Sequence, residues 1–329
     1  MSIAEANRRF FDSISSSYDS KPWYAKVNAQ VADFVHAELP WVGIPLVNAG
    51  SSNDATGEVR LLDYACGTGF MTRVFGPYVT TTLGIDVSPN MIASYNTRAR
   101  DAGVPPSTVN ATVGDLLDKS DPSPPAFSGT QYWDFDIATV SFAFHHFEDV
   151  VYAARQLKQR LRPGGVLVIN DFLEGGDILV DEEGKPIEGS EGNHAIHDHG
   201  HGHKHGHHGH GHGDNHNHGH NHNHGHQTNN PDQDQDANTT HDTDDTTPEF
   251  HKKMKASIVV PHFTISGVQD FFREAGFVDI DVVTLKEKSY MEFGGKKMYR
   301  TILFARGRKP VESDKKGESK KGEEGKSEL

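Results

Sequence analysis

Three acidic residues, two glycines and a pair of histidines stand at intervals that suit chemistry on a nucleotide-like ligand. Asp63 ends the apolar run Val59 to Asp63 and leads into a turn holding Gly67 and Gly69, and Asp86 ends a second apolar run, Leu83 to Ile85. Glycines at a strand-to-loop turn let the backbone approach a ligand that any β-carbon would hold away, and the helix that follows offers free amide N–H groups. A carboxylate at the end of the next strand, roughly 20 residues on, is placed to accept both hydroxyls of a ribose. Further along, VGDLLD delivers Asp115 and Leu116, and SFAFHHFED delivers Ser141, Phe142, His145 and His146.

The glycine spacing alone fits a nicotinamide dinucleotide as readily as S-adenosylmethionine. Two residues separate them. A dinucleotide fingerprint wants a third glycine three residues after the second, and that position is Thr72. Asp63, just before the turn, would repel a pyrophosphate but suits the ammonium of a methionine moiety. The ligand suggested is a cation.

At these residues the chain resembles the class I S-adenosylmethionine-dependent methyltransferases, in particular the small-molecule branch with the ubiquinone/menaquinone-type enzymes. The family's acidic-x-Gly-x-Gly-x-Gly motif is matched by Asp63, Ala65, Gly67 and Gly69, with Ala65 departing by one methyl group. The resemblance continues through GIDVSPNM, which contains Asp86 and Met91, then VGDLLD, FDIATVSFAFHHFED and LRPGGVLVINDF, and resumes at FTISGVQDFFREAGF. It implies S-adenosylmethionine as cofactor, held by Asp63, Ala65, Gly67, Gly69, Asp86, Met91, Asp115, Leu116 and Ser141. It also implies that Asp115 reads the adenine amino group and that an N-terminal segment with Phe11, Tyr18 and Asp19 folds over the cofactor. An ordinary amphipathic cap on the sheet is the other reading of that segment.

These residues need an open, doubly wound α/β sheet to bring them to one edge. Helices are expected over about 3–14 and 25–38, and a Gly/Ser/Asn-rich loop over 43–58. Ser88 is a fitting N-cap and Pro89 a fitting first helical residue for a helix that stops at Gly103. Strands follow near 110–113, 135–140 and 166–170, with a helix capped by Asp149 before the last of them. Asp171 and Phe172 then emerge on the crevice side. After 255, a helix capped by Ser266 and ended by Gly276 precedes two strands, Val278 to Thr284 and Tyr299 to Ala305, expected to pair antiparallel. The expected fold is a seven-stranded, mostly parallel, Rossmann-like sheet with an antiparallel C-terminal hairpin.

Composition adds one unusual segment. Residues 177–255 carry 15 Asp or Glu and 5 Lys or Arg, a net of −10 out of −14 for the whole 329-residue chain, so the rest has no basic field to attract nucleic acid. His194 to His226 holds 16 of the 22 histidines, set among Gly, Asn and Asp. Such a stretch cannot bury a core and is expected to be disordered. Imidazoles at that density chelate Zn, Ni or Cu adventitiously, whereas a fixed metal site needs few ligands in one geometry, and none is assigned. The expected organisation is a cap at 1–58, a cofactor-binding core at 59–176, the insertion at 177–255, the rest of the domain at 256–308 and a charged tail at 309–329.

Cys66 is the single cysteine, so no intramolecular disulfide forms and a reducing compartment is the simple expectation. No apolar run is long enough to span a bilayer, and the N-terminus lacks a signal-peptide core. A cytoplasmic, or also nuclear, location is expected. The function expected is methyl transfer from S-adenosylmethionine to a small organic acceptor by in-line displacement. His145 or His146 is the candidate base, or else a structural hydrogen-bonding residue, and Tyr18 and Phe142 are candidate acceptor walls. A protein methyltransferase remains open, as does a metal-binding protein on a methyltransferase scaffold. The Asn/Asp-Pro-Pro-aromatic motif of nucleic-acid amine methyltransferases is not matched by VSFAF.

Overall fold

The computed structural model describes residues 1–52, 54–194, 247–293 and 296–314. Its centre is the expected seven-stranded sheet, in the order β3-β2-β1-β4-β5-β10-β7. The strands are β1 (Arg60–Tyr64), β2 (Thr81–Asp86), β3 (Val109–Val113), β4 (Phe135–Ser141), β5 (Leu161–Phe172), β7 (Val278–Thr284) and β10 (Ile302–Arg308). Strands β1 to β5 run parallel, while β10 lies antiparallel to both β5 and β7.

Strands buried on both faces read as continuous apolar runs, and the side chains of β4 and β5 divide alternately between two cores. On one face Ala138, Val140, Leu167 and Ile169 pack with helices α5 (Val150–Arg160) and α7 (Ile265–Glu274). On the other, Ile137, Val166, Val168 and Phe304 pack with α2 (Pro22–Ala37) and α3 (Phe70–Phe75). Helix α2 presents Val27, Val31 and Val35 at four-residue intervals to that core. Helix α4 (Pro89–Asp101) is capped by Ser88, whose side chain accepts the Met91 N–H. Helix α7 begins two residues earlier than its expected cap allows, because Thr264, not Ser266, accepts the Gly267 N–H.

The largest departure concerns the segments around the histidine-rich tract. The disordered insertion expected over 177–255 is ordered at its two ends, where residues 177–194 carry β6 (Ile178–Leu179) and residues 247–255 carry most of α6 (Pro248–Ser257). Contacts distant in sequence order them: Asp177 is fully buried among polar partners, and Phe250 and Met254 of α6 pack on Phe10 of α1 (Ile3–Ile14). The tract from 195 to 246, with its expected disorder and metal affinity, lies outside the described residues, as does the tail from 315. The expected strand Tyr299 to Ala305 is also divided. The chain changes sheets at Thr301, leaving β9 (Lys296–Arg300) between β6 and β8 (Ser289–Phe293) in a separate antiparallel sheet.

Candidate active site

Strand order reverses between β1 and β4, and the chain ends of the parallel strands open there onto a cleft of about 950 Å³. Beyond β1 the backbone enters the left-handed region at Ala65 (φ 52°), Gly67 (φ 50°) and Gly69 (φ 88°). Ala65 takes up a conformation that costs a β-carbon residue about 1–2 kcal/mol, which is the physical reason glycine suits that position. A β-carbon on Gly67 would meet no protein atom within 4 Å, whereas one on Gly69 would strike the Tyr95 ring at 2.7 Å. Gly67 therefore keeps the ligand space open, and Gly69 lets α4 pack against the turn.

Asp86 clamps this turn. One carboxylate oxygen accepts the Gly67 N–H at 2.8 Å and the other accepts the Ser88 N–H at 2.8 Å. A carboxylate has about four acceptor positions, so two remain for the cleft that Asp86 lines. Burial pushes its pKa up to about 6 against the pull of the amides. Asp115 lines the same cleft and is oriented by Tyr64 Oη at 3.1 Å and the Leu117 N–H at 2.7 Å. Ala65, Met91 and Ser141 complete the expected set along the cleft.

Asp63, Gly69 and Leu116 are not among the lining residues. Asp63 shares the Leu61 face of β1 and points at α3, not into the cleft. It accepts the Thr72 N–H at 3.0 Å, the Thr72 hydroxyl at 2.7 Å and the Thr139 hydroxyl at 3.3 Å. Burial raises its pKa to about 7 despite these donors. Its place is under the turn, tying α3 to β1 and β4. Leu116 is a core side chain whose backbone N–H donates to Tyr64 Oη.

A second cleft of about 1100 Å³ adjoins the first, and Phe11, Tyr18, Phe142 and His146 line both. His145 lines the second alone. Its Nδ1 lies 2.9 Å from Asp171 Oδ1, and Asp171 also accepts the backbone N–H groups of His145 and Phe172. Asp171 acts as acceptor throughout, so Nδ1 is the donor of the pair and Nε2 is the ring nitrogen left for a second partner. His146 Nδ1 donates to the Ser257 carbonyl at 2.6 Å. Burial, then the neighbouring His145, holds its pKa well below the usual imidazole value, so it stays neutral.

Helix α1 closes both clefts. Asp12 accepts the Ser88 hydroxyl at 2.6 Å and the Asn90 N–H at 3.1 Å, fastening the helix to the start of α4. Asn7 donates to the His146 carbonyl, and the Phe11 ring meets the His146 ring edge-on. Tyr18 packs on Tyr24, and burial pushes its hydroxyl up to about 12, so it remains a neutral phenol. Among the described residues there is no group of three or more His, Cys, Asp or Glu able to hold a metal ion. No helix among them is long and apolar enough to cross a membrane.

Residues 62–167, the stretch from β1 to β5 that builds the first cleft, match the family described as methyltransferase domain. The chain carries a methyltransferase domain. An uncharacterized methyltransferase of Schizosaccharomyces pombe is 35% identical to this domain's chain over 121 residues, 37% of this chain and 41% of that protein. The uncharacterized methyltransferase YcgJ of Bacillus subtilis is 30% identical over 125 residues, 38% and 45% of the two chains. The 2-methyl-6-phytyl-1,4-hydroquinone methyltransferase of Synechocystis is 28% identical over 149 residues, 45% and 40%. The matches thus span less than half of these curated relatives' own length.

The methyltransferase domain fits its cofactor on two observations besides the acidic residues. Gly67 leaves room where any side chain would intrude, and the buried Ser141 hydroxyl, on the cleft wall, has no partner among the described residues. Asp86→Ala should weaken S-adenosylmethionine binding by about 1–3 kcal/mol, the scale of charge-assisted hydrogen bonds. In the unaltered protein the affinity should fall about tenfold between pH 7 and pH 5, since protonation of a carboxyl titrating near 6 removes the acceptor. Calorimetry across that range checks both, with Asp86→Asn flattening the pH profile. A profile unchanged by Asp86→Asn would show that Asp86 does not set the dependence.

Proposed function

We propose that the protein transfers a methyl group from S-adenosylmethionine to a hydroxyl of a small, largely apolar aromatic acceptor. The observation that carries this reading is the His145–Asp171 pair, facing an aromatic cleft that shares four wall residues with the glycine-turn cleft. When bound, the cofactor supplies an electrophilic methyl carbon on a sulfonium. The residues then have to hold the acceptor in line, exclude water and take up one proton. Phe142, stacked on Phe172 with centroids 4.9 Å apart, and Tyr18 form the acceptor walls. Asp171 fixes the His145 ring, and His145 Nε2 receives the hydroxyl proton as the acceptor oxygen attacks. Charge forming on the imidazole is offset by the carboxylate behind it. His146 contributes shape and an acceptor nitrogen but no charge.

The hydroquinone-methylating relative supports a phenolic acceptor by its name, and the aromatic walls support it by chemistry. The test is a transfer assay with methyl-labelled cofactor over a metabolite extract and a panel of phenols. One or a few labelled O-methyl products are expected. Tight cofactor binding with no labelled small molecule from any fraction would favour a scaffold role, and label appearing only on protein would favour a protein acceptor.

A further inference from the structure

We propose that the acceptor cleft takes an aromatic acid, whose carboxylate is held by Arg300; this rests on the methyl-transfer reading above and specifies its substrate class. Arg300 ends β9 and lines the second cleft, yet it is only 5% exposed. Its guanidinium carbon lies over Phe172, 3.5 Å from the ring centroid, on a residue whose ring also contacts His145. Nε donates to Asp177 Oδ1 at 3.0 Å, while Nη2 is buried with no partner among the described residues.

The nearby acids cannot supply that partner. Asp177 spends its other oxygen on His262 Nε2 at 2.9 Å and the His194 N–H at 2.9 Å, and Asp171 is committed to His145 and two amides. A buried cationic donor left unpaired is costly, so the cleft is built with one unspent charged donor among aromatic walls. A planar carboxylate on an aromatic ring satisfies both features, because Arg binds planar oxyanions through its fixed donor edge. A phosphate, with close to two negative charges, calls for more than one buried cation. The other basic side chain at this cleft, Lys21, is partly exposed and lies 5.9 Å from the Phe250 ring.

The probes are 3-hydroxy-2-naphthoate and its carboxamide, matched in shape and differing in charge, titrated by calorimetry into the full chain with S-adenosylhomocysteine present. The acid should bind about tenfold or more tighter than the amide, the scale of a charged hydrogen bond. Arg300→Gln should bring the two within about twofold, and Lys21→Gln should leave the preference standing. Should Arg300→Gln fail to fold for loss of its Asp177 contact, Arg300→Lys, which keeps the charge but loses the planar fork, should lower the preference instead. Equal binding of acid and amide by the unaltered protein, binding of neither, or a preference that survives removal of Arg300 overturns the proposal. The heat of S-adenosylhomocysteine binding, measured first, tests the underlying methyl-transfer reading separately, since acid and amide can be compared without it.

Discussion

Alanine at His145 should lower methyl transfer per folded molecule by about 10²–10⁴-fold, the usual contribution of a positioned general base, while S-adenosylmethionine affinity stays close to that of the unaltered protein. The separation is expected because His145 lines the second cleft and not the first. Asp171→Asn should reproduce much of the loss, since an amide in that place can donate to Nδ1 and leave the proton on Nε2. Single-turnover rates, cofactor calorimetry and melting curves on the same preparations check this. Full turnover in His145→Ala with a lowered melting temperature would make the histidine a structural residue and leave positioning alone as the mechanism.

The second large effect is on stability. Asp177 has no exposed surface, and it binds Arg300, His262 and the His194 backbone together. Burial alone would push its carboxyl up, but the His262 hydrogen bond and the Arg300 charge outweigh this and hold it at about 2. Breaking a buried pair by removing one partner typically costs about 3–5 kcal/mol, and Asp177→Ala should fall in that range by urea denaturation. Adding Arg300→Met should recover part of the loss, because the stranded cation goes with it. A cost under about 1 kcal/mol for Asp177→Ala would show that the network does not hold the acceptor cleft together.

Residues acting through local signals were legible in the sequence. The turn at Gly67, the Ser88–Pro89 start of α4 and the apolar runs of β4 and β5 each depend on near neighbours, and each appears where spacing puts it. Asp63 shows the limit of motif reading, because a position in a motif does not say which face of a strand its side chain takes. On β1 it shares the Leu61 side, which belongs to α3, so a residue next to the glycine turn ends up beneath it. The acceptor cleft was harder to foresee because its parts lie far apart in the chain. The pairing of His145 with Asp171 spans two strand ends, and Arg300, Met291 and Met298 arrive after the insertion. Two signals were nonetheless present. SYMEF and KKMYR flank a Gly-Gly pair, a hairpin pattern, and Thr247–Pro248–Glu249 is a helix start whose Thr247 side chain does accept the Phe250 N–H.

The wall common to the two clefts has a consequence for speed. Phe11, Tyr18, Phe142 and His146 line both clefts, so their side chains belong to the boundary the two share. Rotation of these side chains would join the two compartments, and it is slowed at His146, which is buried and hydrogen-bonded to the Ser257 carbonyl, whereas the fastest rotations belong to exposed residues. The communication between the clefts is therefore set by how these four side chains pack against α1 and α6, and so by helices that lie outside the central sheet.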